Sequence, residues 1–186
     1  MFKSILIIDC QNDFISGSLA CDNGEIAVKN IINLLNINKD LKVFYSLDWH
    51  SENNKSFKIN GGIWPVHCVA NGFGAKLEES FYKELQHKNH SPNNKEILFL
   101  KGKNDHIEEY SAYEGENILG NKINEVLDKD VIVCGIASEF CVKETVEDLI
   151  RNGFNVELYI DGVAYVNKKE HEKTLNNLRE QGAKFI

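Results

Sequence analysis

No apolar run in the 186-residue sequence approaches the length that a bilayer span requires. Positive charge is scarce as well: 21 lysines and arginines face 28 aspartates and glutamates, a net charge of −7. That leaves no basic footprint for nucleic acid or an anionic membrane surface. The start, Met1-Phe2-Lys3-Ser4-Ile5, leads straight into a strand-like run and lacks a signal-peptide cleavage region. The cysteines, Cys10, Cys21, Cys68, Cys134 and Cys141, are odd in number. Without a secretion signal they point to reduced thiols in a cytoplasmic setting and not to a disulfide framework. There is no internal repeat, low-complexity tract or linker, so the length predicts a single domain over 1–186. A homo-oligomer is left open.

What is present is a regular alternation. Apolar, β-branched runs over Ser4–Ile8, Leu41–Leu47, Glu96–Leu100, Val131–Ile136, Val156–Ile160 and Ala183–Ile186 predict strands. Helical periodicity falls on Gly24–Leu35, Ala75–Leu85, Asn117–Leu127, Glu139–Asn152 and Lys169–Glu180. Such alternation predicts an α/β fold: a three-layer α/β/α arrangement around a mostly parallel sheet of about six strands, Rossmann-like in its winding. Ligands of such sheets bind beyond the carboxyl ends of the strands. Those ends carry Asp9, Asp48, Lys101 and the turn from Gly135 to Cys141. The segment from Asp48 to Asn71 is long and irregular and holds both tryptophans, which is the habit of a functional loop.

Each of these residues has an ordinary reading beside the chemical one. Cys141 opens a helix, where the macrodipole and free amides favour a thiolate and can hold an oxyanion; it could equally be a buried structural thiol, as Cys134 is read to be. Asp9 is either an Asx-turn residue or a general base for the thiol proton. Lys101 is either a solvated strand end or the charge that keeps Asp9 ionised and the thiolate favourable. Asp48 and His50 alternate, so both side chains point one way, and His67 follows in the same loop. One carboxylate with two imidazoles suits zinc, manganese or iron; the alternative is a capping aspartate and two loop histidines. Phe14 and Trp64 could be core aromatics. His87, His90, His106 and His171 are read as surface residues, and Glu139, Glu144 and Glu147 with Lys143 as a solvated helix face.

Six segments, taken in order, resemble the isochorismatase-like cysteine hydrolases and, within them, the nicotinamidases. They are Asp9-Cys10-Gln11-Asn12-Asp13-Phe14, Asp48-Trp49-His50, Gly61-Gly62-Ile63-Trp64-Pro65-Val66-His67-Cys68, Lys101-Gly102, Tyr110-Ser111-Ala112-Tyr113-Glu114-Gly115, and Gly135-Ile136-Ala137-Ser138-Glu139-Phe140-Cys141-Val142. The resemblance implies a catalytic group of Asp9, Lys101 and Cys141, and one divalent metal, zinc first, on Asp48, His50 and His67. It further implies a cis peptide between Ile136 and Ala137 and an oxyanion hole made by the N–H groups of Ala137 and Cys141. Phe14, Trp64 and Ala137 would line the substrate site. The implied reaction is hydrolysis of nicotinamide to nicotinate and ammonia through a thioester. Relatives often carry a further metal-binding histidine where this sequence has Asn54, whose amide oxygen is a weaker ligand. Another amidohydrolase of the superfamily, acting on a ureido or carbamoyl compound, is the nearest alternative, and the metal residues and Trp64 argue against it. A non-catalytic binding homologue is disfavoured because Asp9, Lys101 and Cys141 are all present. The vinyl-ether hydrolases of the superfamily do not depend on such a cysteine.

Overall fold

The structure is a computed structural model and describes residues 3–186. The strands are β1 (Ser4–Ile8), β2 (Lys42–Asp48), β3 (Leu98–Lys101), β4 (Asp130–Gly135), β5 (Asn155–Val163) and β6 (Lys184–Phe185). The helices are α1 (Asn12–Ile15), α2 (Gly24–Ile37), α3 (Ser80–Lys83), α4 (Ile123–Val126), α5 (Lys143–Arg151) and α6 (Lys168–Glu180). The strands form one six-stranded sheet in the order β3-β2-β1-β4-β5-β6. Every pair is parallel, so the expected mostly parallel sheet is parallel throughout the described residues. No helix among them is long and apolar enough to cross a membrane.

β1 shows why the sheet is covered on both sides. All five of its residues are buried, and successive side chains point to opposite faces. Ile5 and Ile7 join the core under α2, with Ala27, Ile31 and Leu35. Leu6 and Ile8 join the other core, with Val146 and Leu149 of α5 and Leu178 of α6. The helical residues recur at three- and four-residue intervals, one face of each helix, as burial against a sheet demands. α6 starts where the Asn167 side chain accepts hydrogen bonds from the N–H groups of Lys169 and Glu170.

Two expected helices are much shorter than their periodicity predicts. Over Ala75–Leu85 only Ser80–Lys83 is helical, because the backbone before it is used elsewhere. Asn12 N–H donates to Lys76 O, Glu78 N–H donates to Cys10 O, and Gln11 Nε2 donates to Ala75 O. Over Asn117–Leu127 only Ile123–Val126 is helical. There Glu116 pairs with Leu100, and Asn117 Oδ1 accepts from Leu119 and Asn121 in a turn that places Gly120 at φ +78°. In both stretches tertiary and side-chain hydrogen bonds outweigh helical pattern. Two surface readings also need correcting. His90 is fully buried, donating through Nε2 to Leu41 O while its own carbonyl accepts from Tyr45 Oη. His87 and His171 are half-buried, whereas His106 is exposed.

Chain order reverses between β1 and β4: β2 and β3 are laid outward on one side, β5 and β6 on the other. A crevice opens at such a switch point, above the carboxyl ends of the central strands.

Candidate active site

Four strand ends meet at that crevice. Asp9 follows β1 and holds a left-handed backbone, φ +48°, which aspartate tolerates better than most residues. Its N–H donates to Ser46 O, and its Oδ1 accepts from Ser46 Oγ at 2.6 Å. Asp48 and Lys101 are register partners at the ends of β2 and β3. At the end of β4, Gly135 sits at φ +117°, and a Cβ there would lie 2.1 Å from Ile8 O, so only glycine lets the strands close. The following Ile136–Ala137 peptide is cis, as the resemblance implies. The chain then turns through a single wide helical turn, Ser138–Val142, which carries Cys141 into α5.

Lys101 is the hub. Its Nζ lies 2.9 Å from Asp9 Oδ2, 2.5 Å from Asp48 Oδ1 and 3.4 Å from Cys141 Sγ. All four residues are buried. Burial alone would strip the charge from Lys101, but the Asp48 and Asp9 carboxylates offset it and push the ammonium well above its usual range. Asp48 responds in the opposite direction: burial would raise it, yet Lys101 and His50 draw it well below the ordinary carboxylate range. Asp9 is pushed up by burial, which Lys101 only partly offsets.

The thiol differs from expectation. Burial raises Cys141 well above the usual thiol range, Lys101 lowers it, and Asp9 and Asp48 raise it again. Burial and the two carboxylates oppose the thiolate here, and Lys101 is the one neighbour that favours it. Cys134, by contrast, is a buried thiol inside β4, as read from its place in an apolar strand.

Beside this group stand Asp48, His50 and His67, whose ligand-type atoms lie within 4.8 Å of one another. His50 Nδ1 lies 2.8 Å from Gly102 O, and His67 Nδ1 lies 2.8 Å from Pro65 O. A carbonyl only accepts, so each Nδ1 carries a proton, and in the neutral ring each Nε2 keeps a free lone pair. His50 Nε2 is buried with no hydrogen-bond partner and sits 3.5 Å from Asp48 Oδ2. An orphaned imidazole nitrogen, a second imidazole and a carboxylate fit a divalent cation. Asn54 is not turned toward them. Its Oδ1 accepts from Ser56 N–H, and its amide nitrogen lies 3.1 Å from His50 Nδ1, on the far side of that ring from Nε2.

A narrow cavity joins the two groups, with about 30 Å³ open to the centre of a water molecule. Phe14, Trp64, Ala137, Cys141, Asp48 and His67 all line it. Trp64 Nε1 donates to Tyr110 Oη at 3.0 Å, and its ring meets Phe140 edge-on at 5.1 Å. The lining thus sets aromatic rings and the Cys141 thiol beside Asp48 and His67, two of the cation-type residues.

Sequence reasoning missed several residues of this site. Gln11 Nε2 donates to Asp48 O and its Oε1 accepts from Asp48 N–H, fixing β2's last residue from both sides. Asp13 Oδ2 accepts from Cys68 N–H at 2.7 Å and so holds the residue after His67. Both lie in the first matching segment, Asp9-Cys10-Gln11-Asn12-Asp13-Phe14, which was the available signal. Tyr110 and Phe140 lie in the fifth and sixth matching segments without having been singled out there, whereas Ser46 and Glu108 carried no local signal.

A family model described as the Isochorismatase domain matches residues 3–186. The chain is 29% identical to the nicotinamidase of Escherichia coli over 188 residues, covering 89% of this chain and 84% of that one. A crystal structure of the pyrazinamidase of Pyrococcus horikoshii in complex with zinc superposes with a TM-score of 0.84 at 28% identity, covering 100% of this chain and 99% of that one. PnC1 of L. infantum in complex with nicotinate superposes with a TM-score of 0.83 at 29% identity, covering 100% and 92%.

Proposed function

The chain belongs to the isochorismatase family, and from that premise we propose that it acts as a nicotinamidase with Cys141 as its nucleophile. It hydrolyses the carboxamide of nicotinamide to nicotinate and ammonia. The observation that carries the residue assignment is the buried contact of one lysine with two carboxylates and a thiol, beside a cavity that Asp48 and Cys141 line.

In this reading Asp9 takes the proton from Cys141 as the substrate arrives. The sulfur attacks the carboxamide carbon, and the carbonyl oxygen turns into an oxyanion held by the N–H groups of Ala137 and Cys141. Collapse of that adduct breaks the C–N bond, and Asp9 returns its proton to the departing ammonia. A thioester remains on Cys141. Water, giving its proton to Asp9, then attacks the thioester, releases nicotinate and restores the thiol. Lys101 stays charged throughout and keeps Asp9 competent as a base. Phe14 and Trp64 hold the ring flat, which fixes the carboxamide over the sulfur. Asp48, His50 and His67 would hold a divalent metal, zinc before manganese or iron, which when bound supplies a Lewis-acid contact for the pyridine nitrogen.

The test is ammonia release from nicotinamide by the wild type and by Cys141→Ala. The wild type is expected to turn over and the variant to lose activity by at least about a thousandfold. Turnover by the alanine variant comparable to wild type would remove the covalent scheme.

A further inference from the structure

The turn that carries the oxyanion donors is braced from outside the site. Ser138, between Ala137 and Cys141, is fully buried, and its N–H donates to Ala164 O. Its Oγ lies 3.0 Å from Glu139 Oε2 and 2.7 Å from Nδ1 of His171, which stands on α6. The Glu139 carboxylate accepts from Val166 N–H and Asn167 N–H, and Val166 lines the cavity. Glu139, read from sequence as part of a solvated face, is thus a tie between the turn and the cavity wall. The His171 ring stacks on Tyr165 at 4.6 Å, and Tyr165 in turn pairs with Asp22, next to the cavity residue Cys21.

The direction of these bonds is fixed by chemistry. A carboxylate only accepts, so the Ser138 hydroxyl donates to Glu139. Having spent its proton, that hydroxyl can only accept from the imidazole, so His171 carries its proton on Nδ1. Burial keeps the ring below its ordinary value, although Glu139 and Glu172 oppose this. The result is a relay from His171 through Ser138 to Glu139, whose carboxylate also accepts from the Val166 and Asn167 N–H groups.

We infer that His171 is a positioning residue for the reaction, holding through Ser138 the turn from which Ala137 and Cys141 present their N–H groups. It touches no reacting atom, and this role in catalysis rests on the amidase reading above. The inference assigns a function to α6, which otherwise lies behind the sheet, and it makes the hydrogen bond matter more than the stacked ring.

Three variants separate these contributions. His171→Phe keeps a ring against Tyr165 and removes the donor. His171→Asn removes the ring and places an amide donor near the position of Nδ1. Ser138→Ala removes the relay's middle. With nicotinamide, His171→Phe and Ser138→Ala are expected to lower kcat by roughly 10- to 100-fold with KM little changed, since a small misplacement of catalytic groups has that scale of effect. His171→Asn should recover most of the loss. Affinity for nicotinaldehyde, whose carbonyl adds the Cys141 thiol to give a tetrahedral hemithioacetal, should fall in parallel with kcat, while affinity for nicotinate should not. Equal kcat in wild type and His171→Phe, or no recovery in His171→Asn, would overturn the inference. A wild type inactive on nicotinamide would instead remove the amidase reading. The relay is then still read by the ¹⁵N spectrum of neutral His171, expected to show a protonated Nδ1 and a bare Nε2; the opposite tautomer overturns it.

Discussion

The two halves of the site are held in place by different means. Asp9, Asp48 and Lys101 stand at the ends of three neighbouring parallel strands, where ladder register fixes each against the next. His67 and Trp64 lie in the loop between β2 and α3, and individual ties fix them. His50 N–H donates to Cys68 O, Ala70 N–H donates to His50 O, and Cys68 N–H donates to Asp13. Cys68 also adopts φ +46°, a conformation unusual for a residue with a side chain. A sheet spreads the loss of one contact over many others, whereas a loop tie has no substitute. The strand half should therefore be sensitive to charge and the loop half to single hydrogen bonds.

The largest effect is expected in the strand half. Lys101→Met keeps the length of the side chain but leaves Asp9 and Asp48 facing each other in a buried site without their shared cation. Removing one member of a buried ion group destabilises by about 3–5 kcal/mol, and turnover should fall with it below detection. Thermal unfolding and ammonia release measure the two consequences together. A variant as stable as wild type would mean that the carboxylates are not both ionised beside Lys101.

Asp13→Ala tests the loop half. It removes the acceptor for Cys68 N–H without touching any metal-type residue directly. Gly74 packs so closely on this carboxylate that a Cβ there would come within 1.9 Å of Asp13 Oδ2, so the tie has been built into both partners. We expect zinc affinity, measured by competition with a chromophoric chelator, to weaken roughly 10- to 100-fold, the scale for partners that orient a metal ligand. Overall stability should change by less than in Lys101→Met. Unchanged zinc affinity would show that His67 is held without the Asp13 tie, by its Nδ1 contact to Pro65 and the backbone bonds between His50, Cys68 and Ala70.

The same contrast explains what could be read from the sequence. Strand-borne residues were legible because an apolar run followed by a charged residue says both where the strand ends and what it delivers. Asp9, Asp48 and Lys101 each follow that pattern, and with them came the six strands and the alternating architecture. Helix lengths were less legible. Ala75–Leu85 has helical periodicity, but the backbone from Ala75 to Glu78 is claimed by Cys10, Gln11 and Asn12 from far earlier in the chain. The upward push on the Cys141 thiol was hidden for a related reason. A helix-terminus argument sees local amides, whereas full burial beside two carboxylates is a property of the assembled site. His171 reaches Ser138 across 33 residues, and nothing near either one announces the other.

Asn54 offers the finest test of the comparison, because it stands in the loop half where a further histidine would be expected to ligate. In this chain its oxygen is occupied by Ser56 N–H, and its nitrogen faces the Nδ1 side of His50. His50 does not depend on it, since Gly102 O already fixes the Nδ1 proton at 2.8 Å. Gly102 is itself held at φ +70°, and a Cβ there would press on the His50 ring at 2.5 Å, so the carbonyl's approach is secured by backbone shape. Asn54→Ala should therefore weaken zinc binding by less than about tenfold, at or below the bottom of the range for residues that orient a ligand. A direct ligand would behave differently, for its loss removes a donor from the cation and not merely a neighbour from a ring. Zinc affinity that collapses in Asn54→Ala as far as in His67→Ala would place Asn54 among the ligands and require its side chain to turn from Ser56 when the cation binds.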